Sequence, residues 1–175
     1  MPMLTVMHVG WSFGGVLAFE VSRQLRKLGA TVKGVILIDS PYPIGHQALP
    51  PEVISRVVKK PPKGRELVSE AAKQARDAIE AQFRRHARLL QDYNPGRNAD
   101  DVPCVMLKCT RILDTESLCG VPYPWLSDET FREQCVADWQ RFIGRQIPVM
   151  DVDCDHFQIF DDIHVSPNPT ESFIF

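Results

Sequence analysis

No apolar run in the chain approaches the roughly 18 residues that a membrane-spanning helix requires. There is no excess of positive charge either. Lys and Arg number 20 against 22 Asp and Glu, for a net charge of -2 and a pI of about 6.2, so no basic field exists to attract nucleic acid. Lys and Arg are absent before Arg23, which argues against the charged start of a secretory signal. The cysteines Cys104, Cys109, Cys119, Cys135 and Cys154 contain no C-x-x-C pair. Odd in number, and in a chain that is not small, they fit neither a disulfide framework nor a zinc knuckle. They read as reduced cytosolic thiols that serve in packing. Internal repeats and low-complexity tracts are also lacking.

What is present suits one domain over residues 1–175: 44% of residues are hydrophobic and 24% charged. Met3 to Val9 is apolar and predicts a buried strand. Gly10-Trp11-Ser12-Phe13-Gly14-Gly15 follows, and then a helical apolar spacing through Val16, Phe19, Val21, Leu25 and Leu28, which Gly29 stops. Val32 to Ile38 is a second strand, apolar enough to be covered on both faces, and it ends at Asp39-Ser40-Pro41. Prolines crowd residues 41–64 and predict loop or short turns. From Arg65 to Tyr93 a stripe of Val68, Ala72, Ala75, Ile79, Phe83, Ala87 and Leu90 predicts one long amphipathic helix or two in series, stopped by Asn94-Pro95-Gly96. Strands are expected near Val102–Thr110 and Pro148–Asp153, with a loop-rich stretch and a helix over Asp128–Ile143 between them. This order predicts an α/β fold with a mostly parallel sheet.

Gly10-x-Ser12-x-Gly14 falls at the first strand-to-helix junction. That context suits a nucleophile elbow, a tight turn that lifts a serine hydroxyl off the sheet while small neighbours admit the backbone. The Phe13 N–H at the helix start is then a natural oxyanion donor. A phosphate-binding loop would need Lys-Ser/Thr or G-x-G-x-x-G here, and neither occurs. A serine nucleophile needs a base and an orienting acid. His156, just past the last strand, is the candidate base, and His164 a weaker one. His8 lies within a strand, His46 in the proline-rich loop, and His86 on the solvated side of the long helix. For the acid, Asp39 and Asp114 both follow strands, and pattern alone leaves both open.

GWSFGGVLAFEVSRQLRKLG, then GVILIDSPYP, then DHFQIF resembles the thioesterase domain of type I polyketide synthases and peptide synthetases, above all the fungal non-reducing polyketide synthase form. The resemblance implies an α/β-hydrolase fold and a triad of Ser12, Asp39 and His156. It makes residues 45–95 a helical lid over an acyl chamber. It further implies a cytoplasmic enzyme of secondary metabolism with no cofactor and no nucleic-acid or membrane partner. Its substrate would be an acyl or polyketide thioester on the phosphopantetheine of an acyl carrier protein, released by hydrolysis or cyclisation. Only nine residues precede Gly10, and SPNPTESFIF does not match the family's closing helix. The expectation is therefore the C-terminal half of the fold, truncated at both ends, with an uncovered first strand prone to self-association. Two other readings remain: a general esterase of the same fold, and a non-catalytic remnant lacking the second oxyanion donor.

Overall fold

The computed structural model describes residues 5–59, 70–94 and 102–161. Four parallel strands, β1 (Thr5–Trp11), β2 (Thr31–Ile38), β3 (Cys104–Cys109) and β4 (Val149–Val152), lie side by side in chain order. Each crossover carries helix: α1 (Phe13–Lys27) after β1, α2 (Pro51–Lys59) and α3 (Glu70–Asp92) after β2, and α4 (Thr115–Cys119), α5 (Pro124–Ser127) and α6 (Glu129–Ile143) after β3. The α/β, parallel-sheet expectation thus holds.

The core forms where α1 and α6 meet one face of the sheet. Val16 and Phe19 of α1 pack with Val35 and Leu37 of β2, Met106 of β3, and Trp139 and Ile143 of α6. Phe19 and Trp139 meet edge to face at 5.2 Å, the favoured geometry for aromatic pairs. Leu90 brings the end of α3 into this cluster, and Tyr93 Oη donates to Glu20 Oε2 at 2.7 Å, fastening that end to α1. Asp128 caps α6 by accepting from Phe131 N–H at 3.0 Å, and Gly144 closes it at φ 78.

Two expectations need correction. Residues 41–64 are not loop throughout, because α2 starts at Pro51; proline at the first helical position removes only an N–H that had no partner there. Nor is β1 buried on both faces. It forms an edge of the described sheet, and Met7 and Val9 are 58% and 57% exposed, since α1 covers only the face bearing Val6 and His8. His164, residues 60–69, the Asn94-Pro95-Gly96 stop beyond Asn94 and the C-terminal SPNPTESFIF lie outside the described residues.

Candidate active site

The carboxyl ends of β1, β2 and β4 gather three side chains at one edge of the sheet, the edge where open α/β sheets place their ligands. Ser12 follows β1 at φ 54, ψ -128, a conformation costly for a residue with a Cβ. Its N–H donates to Ile38 O at 2.9 Å, which ties the turn to the end of β2. Two glycines make the turn possible. A Cβ on Gly10 would lie 2.0 Å from Gly14 O, and one on Gly15 would lie 1.8 Å from Ser40 Oγ. Gly14, the last residue of the G-x-S-x-G pattern, has open space instead; the crowding falls one position later. Phe13 is the first residue of α1, so its N–H has no acceptor within the helix and stands available at the positive end of the dipole.

Asp39 ends β2, also at positive φ (42°), a conformation Asp tolerates better than most residues. Its Oδ2 lies 2.8 Å from His156 Nδ1. Its Oδ1 accepts from Cys109 N–H at 3.0 Å and from Arg132 Nη2 at 2.6 Å. Burial opposes ionisation of Asp39. The hydrogen bond and charge of His156, then Arg132 and the Cys109 N–H, outweigh it and hold the carboxyl below its ordinary range. Asp114 does something else: exposed, it caps α4, accepting from Ser117 N–H at 3.0 Å and Ser117 Oγ at 2.6 Å.

His156, only 2% exposed, sits in the turn after β4. Trp11 stacks on its ring at 4.8 Å, and Trp11 Nε1 donates to His156 O at 3.1 Å. Trp125 meets the ring edge-on at 4.6 Å. With the Nδ1 proton given to Asp39, Nε2 is the basic nitrogen. Burial lowers the proton affinity of His156 more than Asp39 raises it, so the imidazole is neutral at neutral pH.

Ser12 and His156 line the same cavity, of about 500 Å³, with walls of Trp11, Phe13, Phe83, Trp125 and Phe157. Two further histidines line it, a role that sequence pattern gave to neither. His86 is half-buried rather than solvated: its ring stacks on Phe13 at 4.5 Å and 16°, because the apolar stripe of α3 faces the cavity and carries His86 with it. His46, from the segment after β2, makes a 2.9 Å contact to Tyr123 Oη, whose proton goes to Gln47 O at 2.8 Å; His46 Nε2–H is therefore the donor. Spacing offers no signal for either placement, since both depend on how α3 and the β2 exit fold over the sheet.

Burial, reinforced by the charge of His156, pushes His46 down from 6.5 to about 4. Burial depresses His86 and His156 as well. Between the unfolded value and the folded one, the unfolded chain binds the proton and the folded chain does not. Stability is thus fully present above about 6.5 and is lost as pH falls toward about 4. A series of melting temperatures across this window should show the decline, and His46→Gln, which keeps a donor for Tyr123, should flatten it. A variant profile parallel to wild type would show that His46 titrates normally in the fold.

The cysteines are free. Four are buried, and burial raises their thiols, Cys104 to about 12 and Cys135 to about 11, as expected of inert packing residues. Among the described residues no cluster of three His, Cys, Asp or Glu could hold a metal, and no helix is long and apolar enough to cross a membrane.

A family model described as the thioesterase domain matches residues 7–166. An orsellinic acid synthase of Beauveria bassiana is 34% identical over 178 residues, covering 87% of this chain; the match spans only 8% of that protein's length. The thioesterase frbE of a Dothideomycetidae species is 25% identical, over 94% of this chain and 62% of its own. The Vlm2 thioesterase domain bound with a dodecadepsipeptide shares the fold at a TM-score of 0.63 and 17% identity, over 92% of this chain and 65% of that one.

Proposed function

The chain belongs to the thioesterase domain family, and from that premise we propose that it releases an acyl or polyketide chain from the phosphopantetheine thioester of a carrier protein. The observation that carries the proposal is the buried Asp39–His156 pair, 2.8 Å apart, whose histidine lines the same cavity as an elbow serine at φ 54. Ser12 Oγ attacks the thioester carbonyl while His156 Nε2 takes its proton. The Phe13 N–H donates to the developing oxyanion. When the tetrahedral intermediate collapses, the C–S bond breaks and His156 returns the proton to the departing sulfur. Water, or a nucleophile within the acyl chain, then attacks the Ser12 ester with His156 again as base, and Ser12 leaves reprotonated. Asp39 holds the imidazole in the reactive tautomer throughout. Nucleophile, base and acid are all side chains, so the chemistry calls for no cofactor.

The lid over the chamber is read as residues 45–95, of which 45–59 and 70–94 are described; α3 supports this by turning Ala78, Ile79, Phe83 and Ala87 to the cavity. Aromatic walls and the likeness to an orsellinic acid synthase favour a compact aromatic acyl group, and about 500 Å³ accommodates one. Unpaired cysteines favour a cytoplasmic setting. The test is release of free thiol from aromatic acyl thioesters of N-acetylcysteamine, a short mimic of the phosphopantetheine arm. The matching oxygen esters serve as the comparison. Faster turnover of the thioester is expected, whereas turnover confined to the oxygen ester would make the chain a general esterase.

A further inference from the structure

A buried arginine touches the orienting acid from the side opposite the histidine. Arg132 lies in the first turns of α6, with its side chain 6% exposed against 4% for Asp39. One nitrogen, Nη2, donates to Asp39 Oδ1 at 2.6 Å and to Cys109 O at 2.7 Å; Nη1 donates to Trp125 O at 3.1 Å. The guanidinium also lies 5.7 Å from the centroid of the Trp125 ring, the same ring that walls His156. One fork therefore joins the ends of β2 and β3 to α5.

We infer that Arg132 is a positioning residue for the proposed reaction, fixing which Asp39 oxygen faces His156 and setting the pH at which the pair takes up a proton. The inference rests on the triad reading of Ser12, Asp39 and His156. Asp39 has two oxygens, and a carboxylate free to rotate offers His156 either one in many orientations. Arg132 and the Cys109 N–H occupy Oδ1, which leaves Oδ2 alone for the imidazole. The electrostatic consequence has a definite sign. With Asp39 ionised, Arg132 charged and His156 neutral, the buried group is neutral overall. A proton entering the pair makes it cationic, and the fixed charge of Arg132 opposes that entry whichever of the two residues carries the proton. The other titratable groups around the pair are Asp155, His46, and the thiols of Cys109, Cys135 and Cys154. None of these is a lysine or arginine, so Arg132 is the fixed cation facing the pair.

A role confined to holding the fold together would not move the pH profile, and that separates the two possibilities. The full chain, Arg132→Lys and Arg132→Met are labelled with a fluorophosphonate from pH 4.5 to 9, and thermal melts report folding. Arg132→Met should move the acidic limb of the labelling rate up by about one pH unit. Arg132→Lys keeps the charge but not the fork. Its limb should stay in place while its plateau rate falls by up to about a hundredfold. A folded Arg132→Met with the wild-type limb overturns the inference, as does Arg132→Lys at the wild-type rate should Arg132→Met fail to fold. Asp39→Asn separates this failure from that of the triad. If Asp39→Asn labels at the wild-type rate, the triad reading itself is wrong; if it is slow while the Arg132 variants match wild type, only the role of Arg132 is lost.

Discussion

Ser12→Ala should abolish labelling by a fluorophosphonate and lower thioester turnover by roughly a millionfold, the scale on which removing the nucleophile disables a serine hydrolase. The fold should survive. Although Ser12 occupies the N-cap position of α1, its side chain makes no capping hydrogen bond, so the hydroxyl adds little to the helix. Alanine also carries the same Cβ, and the cost of φ 54 is unchanged. The melting temperature should therefore stay close to wild type while activity disappears. A second serine beside the elbow supplies the control. Ser40 Oγ is buried and shared between Gly10 O at 3.4 Å and Ile38 O at 3.3 Å. Ser40→Ala should keep its labelling. Full labelling of Ser12→Ala would mean that the elbow is a structural turn and the nucleophile lies elsewhere.

The elbow was legible in sequence because its causes are local. An apolar run, a glycine-serine-glycine turn and a helical repeat follow one another within about 20 residues, and each has its own period. Gly10 is crowded by Gly14 O within the pattern itself, whereas the crowding of Gly15 comes from Ser40 past the end of β2, which no local spacing shows. The histidines divide in the same way. His156 was legible because it follows a strand end. His46 and His86 reach the cavity only through the path of the chain over the sheet, which no local period encodes. Arg132 carried a readable signal that passed unused: it stands three, four and seven residues before Cys135, Val136 and Trp139, all on the buried stripe of α6. A lone arginine on an apolar helical face needs a buried anion. The long-range partner that meets that need, Asp39, lies 93 residues away.

Pattern leaves Asp39 and Asp114 open and the family resemblance implies Asp39; the 2.8 Å contact of Asp39 with His156 supports that reading and makes the second prediction sharp. Asp39→Asn should lower kcat by about four orders of magnitude, as when a triad acid becomes an amide. The structure supplies the reason in detail. The Oδ1 position accepts two donors, Arg132 Nη2 and Cys109 N–H, and an amide NH2 placed there would face both of them. The amide oxygen must take that position, which turns the NH2 toward His156 Nδ1. Nδ1 must then accept rather than donate, the proton moves to Nε2, and the nitrogen needed as base is blocked. Asp114→Asn should leave kcat unaltered, and α4 intact, because asparagine caps a helix about as well as aspartate and can still accept from Ser117 N–H. Steady-state kinetics on one thioester with both variants decide the matter. A large loss in Asp114→Asn with little in Asp39→Asn would place the acid after β3 and leave the buried Asp39–Arg132 pair as scaffold.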